Sequence, residues 1–156
     1  MHINTISDYT FYWIMGFADY YEFTGDRAFA EGNLSKMVSA LEYCISRTNA
    51  NGLMEGLEGD WVFIDWAEGL DNRGEVCFEQ MLYAVSLQKT ATLLQEFGRA
   101  AEAGKYQTLA NDVFEKIEKF WDEEKGAFVD DYKTGNRNVT RHANIFALLY
   151  DLTVRR

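Results

Sequence analysis

No proline occurs anywhere in the 156 residues, where average usage would place about eight. Helices without kinks and connections that need no fixed φ suit an all-helical chain. Only two cysteines are present, Cys44 and Cys77, too few for a disulfide framework. Both stand beside apolar neighbours in helical patterns, so they read as buried thiols. Histidine is equally scarce, His2 and His142. With no paired ligand spacing, a catalytic metal is not expected, and no cofactor is implied. Glycine-rich nucleotide-binding loops and nucleophile elbows are absent as well. No stretch has the length and apolarity of a membrane span, and the opening MHINTISDYT lacks the basic and apolar regions of a signal peptide. The chain reads as soluble and unprocessed, with no membrane partner and its compartment open.

Basic residues are also in deficit. Fifteen Lys and Arg stand against twenty-five Asp and Glu, a net charge of −10. A surface that tracks phosphates needs the opposite balance, which argues against nucleic acid as a partner. What the chain does have is apolar material, 47% of residues, with 15% aromatic. That supports one domain-sized segment, residues 1–156, with a core of its own.

The apolar residues recur at helical spacing. After Ser7 and Asp8, which read as an N-cap pair, Phe11, Ile14, Met15, Ala18 and Tyr21 form one face of a first helix. Thr24-Gly25-Asp26 closes it, with Gly25 suited to a left-handed C′ position and Asp26 to capping the next helix. A second helix is expected over 27–48, with Leu34, Met37, Val38, Leu41 and Ile45 on one face. A third, over 75–97, is apolar on two sides and therefore belongs between two layers. A fourth, over 101–121, carries Leu109, Val113, Phe114, Ile117 and Phe120. A fifth begins near Thr140 with Ile145, Phe146, Leu149 and Leu152. Long loops over 49–75 and 123–139 separate the helices.

The spacing repeats. Gly25 and Gly98 stand 73 residues apart, Gly52 and Gly126 stand 74 apart, and Leu34 and Leu109 stand 75 apart. Helix, two-residue turn, helix and long loop, used twice and followed by a fifth helix, read as a repeated α-hairpin. The fold class is all-α, repeated α-hairpins of about five helices that would make part of a toroid. Alternating short and long connections place both long loops at one end, above the N-termini of helices one, three and five. Free N–H groups and partial positive charge gather there, which makes that end the expected binding site. An inner helix without an outer partner exposes an apolar face, through which the chain could self-associate.

The first long loop, from Glu55 to Asp71, holds six carboxylates and two tryptophans. Carboxylates accept hydrogen bonds from sugar hydroxyls, and an indole face stacks on the C–H side of a pyranose. Asp60, Trp61, Asp65 and Trp66 are thus candidate substrate-binding residues for a neutral polyhydroxylated ligand. Each also has a plainer reading, a tryptophan as core plug and an acid as solvated surface. The second loop offers Asp130, Asp131, Tyr132, Arg137, Arg141 and His142. Of these His142, opening the fifth helix at the site end, is the candidate for a ligand hydroxyl. Glycoside hydrolysis commonly uses two carboxyls flanking the bond, and no arrangement in this chain singles out such a pair.

The run DYTFYWIMGFADYYEFTGD, then NGLMEG, GDWVFIDWAEG and RHANIFALLYDL, resembles the catalytic domain of bacterial α-L-rhamnosidases, glycoside hydrolase family 78. The resemblance extends from about Ser7 to Leu152. It implies an (α/α)6 six-hairpin barrel, of which this chain is a partial toroid, and inverting hydrolysis of terminal α-L-rhamnosides, so a carbohydrate partner, in a parent protein of a class often exported. It also implies that the general acid lies before the segment matched by Asp8 and Tyr9, and the general base after the segment matched by His142 to Leu152. Both catalytic carboxylates are then expected outside this chain, which alone would be inactive, and no residue is assigned as catalytic. The sugar-site positions carried over are Asp60 and Trp61, from the Gly-Asp-Trp loop, and His142. The alternative is a non-catalytic helical module that binds carbohydrate or assembles with copies of itself. A helical scaffold for protein partners is a third reading.

Overall fold

A computed structural model describes residues 6–55, 61–66, 68–69, 74–133 and 135–152. Five α-helices carry the fold: α1 (Ser7–Thr24), α2 (Arg27–Ile45), α3 (Cys77–Glu96), α4 (Ala100–Ile117) and α5 (Arg141–Leu149). α1 pairs with α2 and α3 with α4 as hairpins, while α3 also packs on α1 and α5. This is the all-α hairpin repeat read from the spacing. α3 is the inner helix, with every residue from Cys77 to Leu87 buried. α2 and α4 bury one stripe each, Leu34, Met37 and Leu41 on α2 and Tyr106, Ala110 and Val113 on α4.

The turns explain the matched glycines. Gly25 sits at φ +65° as the C-cap of α1 and donates its N–H to the Tyr21 carbonyl. Asp26 then accepts from the Phe29 N–H at 3.0 Å and caps α2. Gly98 repeats the left-handed conformation at φ +77°, although the second turn, 97–99, is one residue longer than the first. Gly25→Ala is expected to destabilise the chain by about 1 kcal/mol, read as a shift in the urea midpoint. Space is not the reason, since a Cβ there would meet no atom within 4 Å; the positive φ is.

Some boundaries differ from the sequence expectation. Ser7 and Asp8 do not cap α1: Ile6 is the N-cap, and no side chain caps it. Asp8 is drawn away by the first long loop. α2 ends at Ile45 rather than near Thr48, where Thr48 and Met54 form an isolated antiparallel bridge. α4 ends at Ile117 and runs through a 3-10 turn, Glu118–Phe120, into a two-stranded hairpin of β1 (Trp121–Asp122) and β2 (Ala127–Phe128). Strands of two residues carry no readable alternation. Leu152 lies beyond α5 but still packs on the core. Cys44 and Cys77 are both buried.

Candidate functional site

The N-termini of α1, α3 and α5 point toward the long loops, and buried carboxylates of α1 and α3 begin the site. Asp8, 1% exposed, accepts the backbone N–H of Phe63 at 2.9 Å and of Ile64 at 2.7 Å through a single oxygen, Oδ2. The loop is thereby fastened to α1 across more than fifty residues. The fastening is tight enough to hold a strained turn. Ile64 has φ +54°, an unusual value for a β-branched residue, and the Asp65 N–H donates to the Phe63 carbonyl at 2.7 Å. The aromatic side chains of this turn stack edge to face. Phe63 meets Trp61 at 5.1 Å, Trp66 at 4.9 Å and Tyr9 of α1 at 6.3 Å between ring centroids.

Asp65 points the other way, toward α5. Its Oδ2 lies 3.1 Å from His142 Nε2, and its Oδ1 accepts the Trp66 N–H at 2.7 Å. The Trp66 amide first and the His142 ring second hold this carboxyl below the usual range. Phe78 of α3 stands edge-on to the imidazole at 5.9 Å. Asp65, Phe78, Arg141, His142 and Phe146 line an open recess of about 450 Å³. A larger recess, about 630 Å³, opens on the flank between α3, α4 and the end of α5. The smaller one is the candidate site, because the starts of α3 and α5 meet the Asp65 carboxylate of the acidic loop there, with Trp66 next to Asp65 in the loop.

Sequence-derived candidates fare unequally. Asp65 and His142 are brought together. Trp61 is 37% exposed and Trp66 79% exposed, so Trp66 presents far more open ring face. Asp60 lies outside the described residues. Of the second loop, Arg137 pairs with Asp122 at 2.7 Å and the Thr140 hydroxyl donates to Asp130 at 2.6 Å, which makes them supports of that loop.

Three acids important to the site were not singled out by sequence reasoning. Asp8 is the loop fastener. Glu79 of α3 is fully buried, and neither of its carboxyl oxygens has a hydrogen-bond partner. Burial pushes its carboxyl well above the usual range, and the neighbouring Asp8 adds to the shift. Glu75 knots the two long loops together. It accepts from Asn49 Nδ2 at 2.5 Å and the Tyr132 hydroxyl at 3.0 Å, and pairs with Lys133 at 2.7 Å. The signal that could have found Glu79 is its setting, an acid amid Phe78, Met81 and Leu82 on a helix apolar on two sides. A charge so placed must find a partner or a proton.

Among the described residues, no group of three or more His, Cys, Asp and Glu could hold a metal ion, and no helix is long and apolar enough to cross a membrane.

The architecture has solved counterparts. The chain is similar to a rhamnosidase from Klebsiella oxytoca with rhamnose bound, with TM-score 0.79 and 21% identity over 96% of this chain and 28% of that one. It is similar also to the GH78 family rhamnosidase of Bacillus sp. GL1, with TM-score 0.83 and 24% identity over 97% of this chain and 16% of that one. At such identities the likeness is one of fold, and the chain spans less than a third of either structure's length. Among curated proteins there is no match. The family model for the bacterial alpha-L-rhamnosidase 6 hairpin glycosidase domain matches residues 2–155. Five helices in hairpin order, with their loops gathered at one end, are thus a portion of that domain, and the chain belongs to the bacterial α-L-rhamnosidase six-hairpin glycosidase family.

Proposed function

We propose that this chain is a sugar-binding portion of a catalytic domain that hydrolyses terminal α-L-rhamnosides with inversion, and that these residues alone do not hydrolyse them. The observation that carries the reading is the meeting of Asp65 and His142 beside the exposed indole of Trp66, at the N-terminal end of the inner helices. A carboxylate and an imidazole can exchange hydrogen bonds with ring hydroxyls, while the indole offers an apolar face to the pyranose. Inverting hydrolysis needs two carboxyls about 6.5–9.5 Å apart with room for a water between them. Among the described residues Asp65 is the one acid lining the recess, while Asp8 and Glu79 are buried beneath the loop. Asp65 and His142 are accordingly binding residues, and the general acid and base are supplied by other parts of the domain.

Two assays test this. Calorimetric titration of the 156-residue chain with L-rhamnose is expected to show weak saturable binding, and Trp66→Ala to weaken it about tenfold, the 1.4 kcal/mol scale of one aromatic contact. Unchanged affinity in the variant removes Trp66 from the site. Release of rhamnose from an aryl α-L-rhamnoside is expected from the parent enzyme and not from this chain; turnover by the chain alone would overturn the division of roles.

One observation favours a second reading, self-assembly. Ile145, Leu148 and Leu149 on α5 are 60%, 74% and 70% exposed. Sedimentation of the concentrated chain as a monomer would dismiss it.

A further inference from the structure

We propose that Glu79 and Asp8 share one proton, and that this pair is the positioning device that holds the aromatic loop, residues 61–66, over the recess. The inference rests on the sugar-binding reading for its purpose, though not for its chemistry. Asp8 spends one oxygen on two backbone amides, those of Phe63 and Ile64. Its other oxygen, Oδ1, is buried without a partner, as are both oxygens of Glu79. Acceptors that all lack a donor, enclosed side by side, are what a missing proton looks like. Two neighbouring carboxylates in a buried site do not both ionise. Asp8 already accepts two N–H groups through its other oxygen, so the proton is placed on Glu79. A protonated Glu79 gives Asp8 Oδ1 the donor it lacks.

The surroundings supply no cation to balance the charge. Burial first and Asp8 second oppose ionisation of Glu79, and the Ser7 hydroxyl of α1, which favours it, is outweighed. Tyr12, one turn further along α1, feels both Asp8 and Glu79, together with Tyr150 beyond α5 and Asp65 of the loop; burial first and then these groups raise its hydroxyl. His142 enters at the edge, through Asp65. Ionising Glu79 therefore adds a second negative charge against Asp8, with acids and phenols around it. The grip of Asp8 on the Phe63 and Ile64 amides is the contact that yields. A proton here is a fastener for the loop rather than a participant in bond cleavage.

The test follows the loop directly and then the ligand. With Trp13→Phe and Trp121→Phe as background, Trp61 and Trp66 are the remaining tryptophans of the four, and their fluorescence is recorded against pH without sugar. The expected result is a red shift on the alkaline side that disappears in Glu79→Gln, which cannot ionise, and is lost from that pH in Asp8→Asn, where no opposing charge remains to loosen the loop. Far-UV circular dichroism establishes that the helices persist in each variant. L-Rhamnose affinity, measured in parallel, is expected to fall about tenfold per pH unit above the same midpoint, and to lose that fall in Glu79→Gln. An identical alkaline transition in Glu79→Gln, an unmoved one in Asp8→Asn, or none in the parent chain overturns the proposal. If the transition behaves as expected but L-rhamnose binds at no pH, the proton-sharing pair stands and the sugar reading fails.

Discussion

Glu75→Ala is expected to destabilise the chain by about 2–4 kcal/mol, mostly from the hydrogen-bond donors it leaves unpaired. The side chain of Glu75 is wholly buried, whereas that of Lys133 is 42% exposed, so the lysine can return to water after the loss. Asn49 and Tyr132 are less fortunate. Asn49 lies between Glu75 and Glu55 and also organises the turn that follows α2, its Oδ1 accepting the N–H of Asn51 and Leu53. Tyr132 packs edge-on to Phe120 at 4.9 Å, which holds its ring in place when its hydroxyl loses Glu75. Urea unfolding at neutral pH measures the loss. The same residue sets an acid limit. Burial pushes the Glu75 carboxyl up, but hydrogen bonds from Lys133, Asn49, Tyr132 and Asn51 outweigh it and hold the carboxyl below its ordinary value. Folding therefore favours the ionised form. Its contribution is complete above the unfolded value of about 4.3 and is lost as pH falls through the lower folded value. Stability plotted against pH below about 4.3 is expected to be shallower in Glu75→Gln than in the parent chain; equal slopes would take Glu75 out of the acid transition.

Phe11→Ala is expected to have an effect of similar size by a different route, about 3–5 kcal/mol from lost burial and the cavity left behind. Phe11 and Tyr83 face each other across the α1–α3 seam at 5.6 Å between centroids, each 1% exposed or less. α3 is packed from both sides, so the seam has little freedom to collapse. For a chain of this length the melting midpoint should fall by roughly 10 °C or more. A drop of only a degree or two would mean that α1 and α3 can slide together, and that the inner layer is less rigid than its burial implies.

The frame was legible because its determinants are local. Helix stripes such as Leu34, Met37 and Leu41, and left-handed glycines such as Gly25 and Gly98, are set by residues within a turn or two of each other. The hairpin repeat follows from their spacing, and the gathering of long loops at one end follows from the repeat. The site was only partly legible, since its contacts join residues far apart in sequence. Asp65 and His142 meet across 77 residues, and nothing near either one announces the other. Both were chosen for where they stood, a loop over helix starts, which topology could supply. Asp8 shows the opposite failure. A Ser-Asp pair at a helix start has a local use as a cap, and only the folded loop, fifty-five residues on, reveals that the carboxylate is employed elsewhere. Glu75 was likewise indistinguishable in sequence from its solvated neighbours, because its four partners come from both loops.

The segregation of short turns from long loops also bears on how such a chain can change over evolutionary time. At the turn end the connections are two residues, 25–26, and three residues, 97–99, so there is little room for change in length. At the loop end, lengthening a connection is inexpensive, since doubling a loop adds only about 0.6 kcal/mol of closure entropy. Insertions and deletions will therefore accumulate on one rim of the molecule. That rim carries Trp66, Asp65 and the knot at Glu75, so the segments freest to vary in length are also those that meet a ligand. A lineage built on this frame can alter the shape of its recess by loop length alone, while the helices beneath keep one unchanging pattern of contacts.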